Sequence, residues 1–211
     1  MPRFQLIIAA IEFAATLAFA VSGLIEAARR RMDVVGIFAV AFITAFGGGT
    51  VRDVLLDRRP FFWVEHPGYV WLVFGLAVVA APWLHRRRER FTERAMMLPD
   101  ALGLGLFSVT GVSLASAADM PAVVSVMMGV ITGVFGGVMR DVICNEVPYV
   151  FHDHRPYALC AFAGAWVYLA MEAVQLPPLL SLAVSVALIA GLRLAAVLTR
   201  WTVPRWQRDE S

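Results

Sequence analysis

Two Arg-Asp pairs, Arg52-Asp53 and Arg140-Asp141, stand inside strongly apolar sequence. Glycines run just ahead of each: Gly47, Gly48 and Gly49 before the first, Gly136 and Gly137 before the second. A threonine, Thr44 or Thr132, precedes each run. Ionisable groups in apolar surroundings are costly, and they are kept where they face a protein interior or an aqueous cavity. Glycine costs about 1 kcal/mol relative to alanine within a helix, so the runs invite a kink or an unwound turn. Freed carbonyls and threonine hydroxyls there could replace part of a cation's hydration shell. Close helix packing through small residues, with no polar path, is the competing reading. Charge beside both runs favours a water-filled path.

The two stretches are copies. Laid over one another at an offset of 88 residues, Ile43–Pro60 and Ile131–Pro148 agree at eight of eighteen positions. The same offset pairs Glu12 with Asp100, Phe19 with Phe107 and Gly23 with Gly111. A register held from position 12 to 148 marks an internal duplication. Glu12 and Asp100, symmetry mates near the starts of the first and fourth spans, are candidate partners for the two arginines, with the pairing between them left open. Acidic residues within the apolar segments (Glu12, Asp53, Asp100, Asp141, Glu172) outnumber Arg52, Arg140 and Arg193, which leans toward cations.

The 211 residues are 60% hydrophobic and 16% charged, with a mean hydropathy of +0.72. A soluble domain is nearer half apolar and a quarter charged, so the chain reads as one all-α integral membrane domain. A span needs about 20 largely apolar residues. Seven segments qualify: Leu6–Ala28, Val34–Leu56, Gly68–Leu84, Leu98–Ala118, Ala122–Cys144, Tyr157–Ala173 and Pro178–Thr199. Residues 1–88 and 89–176 form the two three-helix repeats, and 177–211 hold a seventh helix and a tail. Units of three spans insert in opposite directions, which makes the repeats inverted. Phe61, Phe62, Trp63, Tyr69, Trp71, Trp201 and Trp206 read as interfacial aromatics.

Orientation follows from the arginines, since the sequence has no lysine. Twelve fall after spans one, three, five and seven, against three (Arg3, Arg58, Arg59) on the other side. The positive-inside rule puts the N-terminus outside and the C-terminus in the cytoplasm. The apolar N-terminus ends in Ala18-Phe19-Ala20 like a signal peptide. Glu12 within it, and the match of its residues to Asp100 and Phe107, argue for a retained helix.

Other chemistry finds little support. No nucleophile–base motif or nucleotide fingerprint appears, so an enzyme is not expected. The arginines sit in short gaps rather than on a soluble face, which argues against nucleic acid. His152-Asp153-His154 with Glu146 fits no standard metal spacing, so no metal or other cofactor is expected. Cys144 and Cys160 form no redox motif and read as reduced packing residues.

The signature Gly-Gly-Gly-Thr-Val-Arg-Asp-Val, repeated as Gly-Gly-Val-Met-Arg-Asp-Val, resembles the prokaryotic branch of the trimeric intracellular cation (TRIC) channel family. The resemblance covers essentially the whole chain. It implies a homotrimer in a bacterial inner membrane, with lipid around it and one potassium-permeable pore through each protomer. It also implies that the second and fifth spans, kinked at Gly47–Gly49 and Gly136–Gly137, line that pore. Phe135 stands where the first copy has Gly47, so the second kink should be milder. With no lysine present, the phosphoinositide regulation of animal members does not carry over.

The expected function is passive potassium conduction past Thr44, Thr132 and the glycines, with the Arg-Asp pairs shaping the two mouths. Bacterial proteins of this architecture are also labelled glycine transporters, which makes a secondary transporter of small amino acids the rival. A membrane subunit without a pore is a third reading.

Overall fold

The computed structural model describes residues 2–87, 93–152, 156–199 and 201. In chain order the helices are α1 (Pro2–Arg29), α2 (Val34–Leu55), α3 (Phe62–Glu65), α4 (Gly68–Arg87) and α5 (Glu93–Ala117). They continue as α6 (Ala122–Ile143), α7 (Tyr149–His152), α8 (Ala158–Ala173) and α9 (Pro178–Leu198). No strand occurs among the described residues. All seven apolar segments read from the sequence are helical. Five helices among the described residues are long and apolar enough to cross a membrane: α1, α2, α5, α6 and α9. Gly68–Ala80 and Ala158–Ala173 are shorter apolar helices.

Helix ends are set locally. The Asp33 side chain accepts the Gly36 N–H at 2.7 Å and caps α2, satisfying a donor that the first turn leaves open. Arg31, Asp57, Asp119 and Asn145 take positive φ after α1, α2, α5 and α6. Arg31 and Asp119 are one repeat offset apart, and so are Asp57 and Asn145. Each closes its helix by the pair of reversed backbone bonds typical of a left-handed terminus. After α2 the Arg58 N–H reaches Asp53 O at 2.8 Å, and after α6 the Glu146 N–H reaches Asp141 O at 2.9 Å. These turns hold the residues that follow each Arg-Asp pair close to it.

Helices α1, α2, α5 and α6 make the centre. Helix α4 packs on α1 and α2, while α8 and α9 pack on the opposite flank against α5 and each other. One apolar cluster joins α1, α2, α3 and α4, and a second joins α5, α6, α8 and α9. Phe19 stacks on Phe107 where α1 meets α5, with centroids 5.6 Å apart. These two residues are counterparts in the duplication. A Cβ at Gly103 would collide with the Phe19 ring, so glycine there lets the stack form.

Three features differ from the sequence reading. First, α2 and α6 are helical straight through both glycine runs, with no unwound turn. At Gly48, Gly49 and Gly136 neighbouring protein occupies the space a side chain would take, and the helical hydrogen bonds run on unbroken. Second, Phe62 and Tyr69 are buried in the core instead of lying at an interface, while Trp71 is exposed. Third, the short helices α3 and α7 sit at equivalent places in the two copies. Arg88, Arg90, Arg155, Arg200, Arg205, Arg208 and Trp206 lie outside the described residues, as do Asp153 and His154.

Truncating a large buried aromatic leaves a cavity costing roughly 3–5 kcal/mol. Phe107→Ala should therefore lower the unfolding midpoint of the purified protein in a thermal scan, and Phe19→Ala should do so to a similar extent. An unchanged midpoint would show that the stack contributes little.

Candidate functional site

At the C-terminal end of α2 the Arg52 side chain is wholly buried. Its Nη2 lies 2.7 Å from Asp53 Oδ1 and 2.8 Å from Glu12 Oε1 on α1. Its Nε also donates to Asp53 Oδ1 at 2.9 Å. The other Asp53 oxygen accepts the Phe62 N–H at 2.8 Å, which ties α3 to the cluster. Arg58 approaches Asp53 at 3.4 Å. The Phe62 ring fills the space beside Gly49, where a Cβ would strike it.

The end of α6 repeats the arrangement. Arg140 is buried, with Nη1 2.5 Å from Asp100 Oδ1 on α5 and Nε donating to Asp141 Oδ1 at 2.9 Å. Asp141 Oδ2 accepts the Tyr149 N–H at 3.1 Å, tying down α7. Ser22 on α1 adds a contact to Arg140 Nη1 at 2.6 Å. The Tyr157 hydroxyl stands where Phe62 stands in the first copy: a Cβ on Gly137 would lie 3.1 Å from it. The Arg193 guanidinium of α9 packs over the Tyr157 ring, 4.6 Å from its centroid. The Arg193 side chain is buried.

Between the clusters α2 crosses α6. A Cβ on Gly48 would collide with Thr132 O, and one on Gly136 would lie 2.5 Å from Thr44 O. Residue 44 meets 136 and residue 48 meets 132, so the helices run antiparallel. Gly23 and Gly111 admit the threonine side chains in the same way, with a Cβ on each falling 2.9 Å from Thr44 Oγ1 and 2.6 Å from Thr132 Oγ1. The hydroxyls of Thr44 and Thr132 donate to Val40 O and Met128 O, both at 2.6 Å. Gly47 is looser, its nearest neighbour being Met139 Cγ at 3.9 Å from a built Cβ. Arg52 and Arg140 each lie about six residues beyond the crossing, in opposite directions. At 1.5 Å per residue the clusters are roughly 18 Å apart along the helices.

The structure thus brings Thr44, Gly48, Thr132 and Gly136 together at one crossing. It gathers Glu12, Arg52 and Asp53 at one end, and Asp100, Arg140 and Asp141 at the other. Ser22 and Tyr157 were not singled out from the sequence, and Phe62 was read as an interfacial aromatic. Phe62 was hidden in an aromatic run that also suits an interface. A further network was missed altogether: Glu26 pairs with Arg29 and Arg30, and Arg30 reaches Glu146 at 2.5 Å. It ties the end of α1 to the turn after α6. Its hydrogen bond to Glu26 raises the Arg30 pKa above the ordinary arginine value.

The chain has clear relatives. A family model described as Glycine transporter matches residues 9–85 and again 97–173, at the duplication offset. A solved structure described as a TRIC trimeric intracellular cation channel orthologue from Rhodobacter sphaeroides is 34% identical. It aligns over 92% of this chain and 98% of that one, at TM-score 0.84. The chain belongs to the TRIC family. Another TRIC structure, from work on conductance through TRIC cation channels, is 31% identical. It covers 96% of this chain and 98% of its own at TM-score 0.83. Among curated relatives, a UPF0126 membrane protein of Vibrio cholerae is 36% identical over 93% of this chain and 78% of its own. The UPF0126 inner membrane protein YadS of Escherichia coli K12 is 32% identical over 95% and 97%.

Removing one partner of a buried ion pair typically costs 3–5 kcal/mol, because the other charge is left uncompensated. Arg52→Gln should therefore destabilise the protein by about 3 kcal/mol in a denaturant or detergent titration. The double variant Glu12→Gln/Arg52→Gln should recover part of that loss. A double variant no better than the single one would mean that Glu12 and Arg52 are not coupled.

Proposed function

We propose that this chain is a potassium-permeable channel of a bacterial inner membrane, with one cation pathway per protomer between α2 and α6. Seven spans cross the membrane, with α1, α2 and α4 forming one repeat (1–88) and α5, α6 and α8 its inverted copy (89–176). Helix α9 and the tail (177–211) lie outside the repeat. Three copies assemble, with the N-terminus outside and the C-terminus in the cytoplasm. The observation that carries this reading is the whole-length likeness to two solved cation channels above 30% identity. The double family match and the Phe19–Phe107 contact between counterparts support the inverted repeat.

When the crossing opens, the Thr44 and Thr132 hydroxyls and the second lone pairs of the helix-bonded carbonyls beside Gly47, Gly48, Gly49, Gly136 and Gly137 coordinate the ion. In the conformation described the crossing is tight, and it opens by separation or bending of α2 against α6 at these glycines. Arg52 and Arg140 do not repel the ion, because Glu12 with Asp53 and Asp100 with Asp141 offset each guanidinium. Glu12 and Asp100 sit on neighbouring helices, so movement of α1 or α5 changes the field at each mouth.

A second reading, secondary transport of glycine or a similar small amino acid, is favoured by the description of the matching family model. The two separate in a planar bilayer under a potassium chloride gradient. A channel gives single-channel steps reversing near the potassium potential. Electrical silence together with saturable glycine uptake in liposomes of the same preparation would replace the channel by the transporter.

A further inference from the structure

A cleft of about 340 Å³ opens at the α1 end of the first cluster, away from the α2–α6 crossing. Gln5, Glu12, Arg58, Glu65 and His66 give it a polar lining, and Leu114 of α5 forms part of its apolar wall. Charges of both signs meet in it. Glu12 is 3% exposed, and its Oε1, although 2.8 Å from Arg52 Nη2, has no aligned hydrogen-bond donor. The Arg58 side chain is 36% exposed, and its 3.4 Å approach to Asp53 is the longest ion-pair contact of that cluster. A guanidinium carries five N–H donors in a planar fork, so Arg58 keeps donors to spare. Glu65 adds an exposed carboxylate from α3.

A lone cation in this cleft would face Arg58, and a lone anion would face Glu12 and Glu65. A molecule carrying both charges satisfies both sets. The volume lies near the lower end of the range for small-molecule sites, which favours a ligand of few atoms. We infer that the cleft binds a small zwitterionic amino acid, with its carboxylate on Arg58 and its ammonium on Glu12 and Glu65. The site is separate from the α2–α6 crossing, and binding there does not require that the ligand cross the membrane. It gives the family model's glycine description a place on a chain whose solved relatives are cation channels.

The test is calorimetric titration of the purified full-length protein with glycine, and with methylammonium chloride and potassium acetate at equal ionic strength. Glycine should bind saturably, and neither half-ligand should reproduce that binding. Arg58→Gln and Glu65→Gln should each weaken it about tenfold or more, as expected for loss of a charge-assisted contact. Glu65 is exposed on a short surface helix, so its variant decides the matter if Arg58→Gln fails to fold. Leu114→Trp, which narrows the cleft, should also abolish binding. Absence of saturable glycine binding would overturn the inference. So would equal binding of methylammonium that survives Arg58→Gln, which would make the cleft a cation site. Because the readout is binding, its failure is distinguishable from failure of the channel reading, which is judged by current.

Discussion

A guanidinium within an apolar bundle stays charged, so carboxylates must be brought to it. The rest of the structure follows from that requirement. Arg52 and Arg140 are each met by the neighbouring aspartate and by an acid from another helix, Glu12 on α1 and Asp100 on α5. The second oxygens of Asp53 and Asp141 then take backbone N–H groups from Phe62 and Tyr149, which fixes α3 and α7. A buried pair of this kind is weak evidence for stability, since desolvation can exceed the attraction. What it supplies here is position. It fixes how α1 sits against α2, and α5 against α6, around the crossing.

At the crossing the glycines set the distance. Backbone meets backbone where Gly48 faces Thr132 and Gly136 faces Thr44, so a single added methyl group at either glycine is too much. Small residues at helix contacts are the usual route to close packing in membranes, where lipid is as apolar as the side chains. The same feature suits a pathway that opens. Two helices in contact through glycine carry few interlocked side chains to disengage, and the charge clusters on either side give each half a fixed anchor.

Much of this was legible in the sequence. The duplication offset located the counterparts, and Glu12 and Asp100 were legible as partners for the two arginines, although which acid meets which arginine was not. Each apolar segment read from the sequence is a helix with most ends within a residue or two, although α1 begins four residues earlier, α4 ends three later and α5 begins five earlier. The state of the glycine runs was not legible. Glycine count measures the freedom to unwind, whereas continuity of α2 and α6 depends on whether a neighbour fills the space, which is a tertiary fact. Phe62 was misread for a related reason: an aromatic beside a span end suits both an interface and a core wedge. Tyr157 and Arg193 lie in separate apolar segments, and their stacking depends on the packing of α9 against the bundle.

The central claim is that ions pass where α2 crosses α6. It is tested most directly by locking that crossing shut. Gly47 and Met139 are neighbours across it, with a built Cβ on Gly47 3.9 Å from Met139 Cγ, so cysteines at the two positions would lie near one another. Potassium flux would be measured on Gly47→Cys/Met139→Cys, with Cys144 and Cys160 replaced by alanine, before and after oxidation. Flux that stops on oxidation and returns on reduction is the predicted result. Undiminished flux through fully cross-linked protein would put the pathway elsewhere in the molecule.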